Sequence, residues 1–126
     1  MNTPVSPSLA KLLKEKGFNL KVITFYDYER LSTPFDKQRQ LDGLINYNPI
    51  NWNSTKNHYT SAPTIADVVM WLYKNHKIWI SVDPEIDTNT WFHTITHGKS
   101  ETVFGNYSSL TEAYEKGIEH ILNDMI

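Results

Sequence analysis

Cysteine is absent from this chain of 126 residues. Its absence excludes disulfides and any metal centre built on thiolates. No run of apolar residues is long enough to cross a bilayer, and the opening "MNTPVSPSLAKLLKEKG" lacks the apolar stretch of a secretory signal. A cytoplasmic protein with no membrane partner is the expectation. Charge of one sign is also lacking: 12 Lys and Arg stand against 14 Asp and Glu, a formal net charge of −2. Nucleic-acid binders usually carry a strongly basic face, so nucleic acid is not expected as a partner. The acid excess is equally too small for a mimic of DNA. There is no G-x-S-x-G, P-loop, H-E-x-x-H or dinucleotide fingerprint. What is present is the composition of one globular domain, long enough for a real core.

Two helices announce themselves by their ends. Ser6 can cap a helix over 6–16, Pro7 suits its first turn, and Gly17 supplies a left-handed stop. Ser109 and Glu112 have the spacing of a capping box, which predicts a helix over 109–124. Its apolar face holds Leu110, Ala113, Tyr114, Ile118, Ile121, Leu122 and Met125, with Gly117 among them. Glycine there costs about 1 kcal/mol against alanine, which points to close packing of the helix on a sheet. A third helix is expected over 64–75, with Ile65, Val68, Val69 and Leu72 as a buried stripe widened by Met70 and Tyr73, and Asn75 as its terminator.

Strands are expected near 19–27, 78–83 and 91–96 from β-branched and aromatic alternation. Residues 29–60 have no clear period and read as an irregular central segment holding a short strand or hairpin, with "LINYN" its best place. The order predicts α+β: a single domain over 1–126, with an antiparallel sheet of three or more strands and helices on one face.

The stretches "LKEKGF", "NWN", "HYTSAPTIADVVMWLYKNHKIWISV" and "SLTEAYEKGIEHIL" resemble a set of small proteins from Bacteroidetes genomes and their phages. The resemblance spans most of the chain except 29–50 and 83–90. It implies a small accessory protein of prophage or mobile-element type, and it brings no catalytic residue and no cofactor. "SAPT" also has a structural explanation as a helix start.

Residues 61–98 concentrate three of the tryptophans and three of the histidines. A hairpin of "KIWISV" with "TWFHTITH" would pair Val82 with Trp91, Ile80 with His93 and Ile78 with Ile95, and would set His76 opposite His97. His93 and His97 lie four apart on one strand, roughly 13 Å, too far to share an ion. With no carboxylate placed to complete a His76–His97 pair, no metal site is expected. Asp83, Glu85 and Asp87 read as solvated residues of a turn.

The same register turns Ile78, Ile80, Val82, Trp91 and Ile95 toward the helices. Trp79 and Phe92 then project from the other face, diagonally adjacent and flanked by Thr94. Such a patch suits an unidentified protein partner or self-association, unless Tyr47, Trp52 and Tyr59 fold over it. Non-catalytic action through Trp79, Phe92 and Thr94 is the expectation. The alternative is a small hydrolase or metal-dependent enzyme using His93 or His97.

Overall fold

Ser6 and Gly17 set the limits of the first helix, α1 (Pro7–Glu15). The Ser6 hydroxyl accepts from the Leu9 amide at 3.3 Å. Gly17 has φ +88°, and the amides of Gly17 and Phe18 donate to the carbonyls of Lys14 and Leu13 at 3.2 and 3.0 Å. This is the Schellman closure that the spacing predicts. The computed structural model describes residues 2–33 and 49–126. The expected strand or hairpin around "LINYN", and Tyr47 with it, lie outside the described residues.

The fold is α+β, and the described residues form six strands in two three-stranded antiparallel sheets. Contacts divide the chain into two compact units, Pro4–Thr64 and Ile65–Ile126 with the residues before Pro4. In the first unit, β1 (Phe25–Asp27) lies between β2 (Arg30–Ser32) and β3 (Tyr59–Ser61). The strand expected over 19–27 is broken. Val22 bridges Ile50, whereas Phe25–Asp27 pair with β2 and β3. Phe25 and Tyr26 are both buried, so the expected alternation fails. Trp52 and Tyr59 pack on Phe25, with ring centroids 4.0 and 4.8 Å away.

In the second unit, α2 (Ile65–His76) precedes β4 (Ile78–Glu85), β5 (Thr90–His97), β6 (Ser100–Tyr107) and α3 (Leu110–Asp124). The sheet order is β4-β5-β6. Helix α3 lies across all three strands, and α2 lies against β4. Ser109 caps α3 by accepting from the Glu112 amide at 3.1 Å. The return bond of the expected capping box shifts by one residue. The Glu112 carboxylate accepts from the Ser108 hydroxyl and from its amide, and these bonds hold it below the usual carboxylate range.

Helix α2 buries the expected stripe of Ile65, Val68, Val69 and Leu72, but it is Trp71 that widens it and not Met70 and Tyr73. Met70 and Tyr73 are exposed. The left-handed residue after it is Lys77 (φ +57°), not Asn75.

Candidate contact surface

The β4–β5 register differs by two residues from the expected one. Ile78 faces His97, Ile80 faces Ile95, Val82 faces His93 and Pro84 faces Trp91. The strands run further into "DPEIDTNT" than the turn residues suggest, and Asn89 takes φ +55° in the tighter connection. An even shift preserves the faces. Ile78, Ile80 and Ile95 are buried on the helix side, as expected. The neighbours change, however. Trp79 faces Thr96, and Phe92 faces Asp83, with the Ser81–Thr94 pair between them. Trp79 and Phe92 are therefore not diagonal neighbours, and the continuous aromatic pair drawn from the sequence does not form. His76 does not face His97 either.

The aromatic partner of Trp79 is Tyr73, whose ring stands edge-on at 5.6 Å. The Lys77 ammonium lies 5.9 Å from the centre of the Tyr73 ring. Trp79 is 41% exposed, Tyr73 49% and Met70 42%. Three large side chains from the end of α2 and the start of β4 thus remain accessible in one region. Phe92 and Thr94 are partly exposed on the Trp79 face of the sheet. Sequence reasoning missed Met70 and Tyr73 by widening the buried stripe too far. At 100° per residue, Met70 stands about 150° from the stripe's centre, which is the usable signal.

His93 lies on the opposite face of β5 and is 1% exposed. Its ring stacks on Tyr107 at 5.2 Å and leans on Phe104 at 5.5 Å. Among the described residues, neither imidazole nitrogen has a hydrogen-bond partner. Burial pushes its pKa below the ordinary value of 6.5. The Ala113 backbone opposes that shift, without forming a hydrogen bond of good geometry, and His120 adds to it by like-charge repulsion. His120 is itself paired with Asp124 at 2.9 Å.

Above the unfolded pKa His93 is neutral in both states and contributes no pH dependence. As pH falls below it, the unfolded chain takes up a proton that the folded chain resists, and stability declines until the lowered folded pKa is passed. His93→Leu should flatten this acid limb. Urea unfolding at about pH 7.5 and about pH 5.5 checks it; the same pH slope in both proteins would show that His93 is not its source.

Among the described residues, no group of three or more His, Asp or Glu side chains could hold a metal ion. In the first unit an open groove of about 800 Å³ is lined by Lys11, Lys14, Tyr28, Glu29, Asn57 and His58, among others. Its cations already have partners. Lys11 pairs with Glu29 at 3.1 Å, and Lys14 donates to the carbonyls of Asn57 and Tyr59 at 3.1 and 2.8 Å. Tyr28, at φ +59°, stacks on His58 at 4.9 Å. No helix of the described residues is long and apolar enough to cross a membrane. Comparison with family models, with curated proteins and with solved structures finds no match to this chain.

Proposed function

We propose that the chain is a non-catalytic accessory protein acting through protein–protein contacts, with Trp79 at the centre of the contact surface. The observation that supports it is the accessible Tyr73–Trp79 ring pair, with exposed Met70 one turn earlier on the same side of α2. Aromatic residues and Met are enriched at interfaces, where a few large side chains carry most of the binding energy. Tyr73 already orders the Trp79 ring, so less side-chain freedom is lost on binding. Phe92 and Thr94 extend the surface along the sheet. The mobile-element setting rests on the sequence resemblance.

No observation favours the alternative, a hydrolase or metal-dependent enzyme using His93 or His97. Both His93 nitrogens are enclosed by the packing. His97 is exposed, beside Ile78 and Ser100, and neither neighbour is a base or a ligand partner.

A photo-crosslinking side chain at Lys77 tests the reading in cells. A discrete cross-link to another protein is expected. Trp79→Ala should remove it, with the melting temperature lowered by only a few degrees. Absence of any discrete cross-link, or its survival in Trp79→Ala, would overturn the proposal.

A further inference from the structure

We propose that β6 is a pairing edge for a second copy of this chain, the two β6 strands running antiparallel about a two-fold axis. A sheet edge presents unpaired N–H and C=O groups, and proteins protect it by shortness, proline or charge. The edges of this molecule differ sharply in such protection. In the first unit the edge strands β2 and β3 have three residues each. In the second unit β4 carries Pro84, which lacks an N–H, between Asp83 and Glu85. Strand β6 has eight residues, no proline and one charge, Glu101. Among the described residues no strand pairs with its far side. Ser100 to Asn106 are all exposed, Val103 at 58% and Phe104 at 42%.

The register of such a pairing is constrained by backbone geometry. In an antiparallel ladder alternate residues point both backbone groups toward the same neighbour. The outward-pointing residues of β6 therefore share one parity, except where Asn106 (φ +69°) and the register shift near Trp91 bend the strand's end. Two copies must then pair residues of like parity, which puts the two-fold axis on a residue. The greatest overlap places it at Val103 or Phe104. With the axis at Val103, Glu101 of one copy faces Gly105 of the other. With the axis at Phe104, Glu101 faces Tyr107. In neither register do two carboxylates meet, an arrangement that would destabilise the pair. Self-pairing is isologous, so one favourable register closes the assembly at two copies. The resulting sheet has six strands, with both sets of helices on the same side.

This edge lies at the other side of the sheet from the strand of Trp79, although Val103 faces Thr94 across the β5–β6 pair, and its test reads a different quantity. Sedimentation of the full chain over a range of concentrations should show a monomer–dimer equilibrium. Val103→Lys should weaken it at least about tenfold, because lysine on an edge strand blocks pairing. The chain contains no cysteine, so a single introduced thiol gives a clean cross-linking signal. Under mild oxidation Val103→Cys or Phe104→Cys should yield covalent dimer faster than Asp83→Cys on the β4 edge. A monomer at every concentration overturns the proposal. So does a dimer unchanged by Val103→Lys, or one that cross-links equally well from both edges. Trp79→Ala should leave the dimer intact, which separates this proposal's failure from that of the contact surface.

Discussion

Gly117→Leu is expected to lower stability by about 3 kcal/mol, the upper end of the usual range for overpacking. A Cβ at position 117 would fall 2.3 Å from Ile80 Cδ1, and 3.1 and 3.2 Å from Cγ and Cδ2 of His93. Ile80 Cδ1 is the mobile end of a side chain, but Ile80 is 1% exposed, so the methyl must move within the core and not into solvent. The His93 ring is held against Tyr107 and Phe104 and cannot retreat freely either. Gly117→Ala therefore sets two effects against each other. Alanine gains about 1 kcal/mol of helix propensity over glycine. Ile80 Cδ1 must turn away and the His93 ring must give by a few tenths of an ångström within a packed interface, so the net result should still be a loss, of about 1 kcal/mol. Ile80→Val deletes the offending Cδ1 and alone should cost about 1 kcal/mol. Combined with Gly117→Ala, the new methyl takes the vacated space. The double variant should then be at least about 1 kcal/mol more stable than the sum of the single effects predicts. Urea unfolding of the four proteins measures this coupling. Strict additivity would show that Ile80 and Gly117 do not compete for the same volume.

That contact was legible in the sequence because helices carry local signals. Ser6, Gly17 and Ser109 cap where the spacing puts them, and Gly117 falls on the apolar stripe of α3 by periodicity alone. The hairpin was half legible. Period-two alternation fixes which face Trp79 occupies. It does not fix its neighbour, because that depends on the length of the turn. Pro84 looks like a turn residue, yet it sits on the edge strand β4, where a missing N–H can point to solvent. The strands thus run two residues further than expected, and Phe92 is carried away from Trp79.

Strand β6 was not seen at all. Its segment "SETVFGNY" is flanked by Gly98 and Lys99 and contains Gly105 and Asn106, which read as loop. An exposed edge strand has no buried face to impose alternation. The candidate surface suffered for a similar reason. Trp79 is visible in the sequence, but Tyr73 and Met70 read as part of the core, and only the packed helix shows which side of α2 stays open.

The first unit is the least legible, since its β1–β3 pairing joins three-residue strands more than thirty positions apart and follows no local period. Its stability should depend on one residue above the rest. Trp52→Ala is expected to cost about 3–5 kcal/mol, a large share of the stability of a small protein. The Trp52 ring is 8% exposed, stacks on Phe25 at 4.0 Å and meets Tyr59 edge-on at 5.9 Å. Its indole N–H donates to the Val22 carbonyl at 2.9 Å, and the Ile50 amide donates to the same oxygen at 3.0 Å. Ring packing and hydrogen bond can be separated. Trp52→Phe keeps an aromatic ring against Phe25 and loses only the donor and part of the volume. The Val22 oxygen would still be satisfied by Ile50, so no buried acceptor is orphaned. The phenylalanine variant should then cost about half of what alanine does or less. Amide exchange at Val22 and Ile50 offers a second readout, because their reciprocal bonds share the Val22 carbonyl with the Trp52 indole. Both amides should lose protection in Trp52→Ala and largely keep it in Trp52→Phe. Equal losses in the two variants would mean that the indole hydrogen bond, and not the stacked ring, holds residues 22 and 50 together.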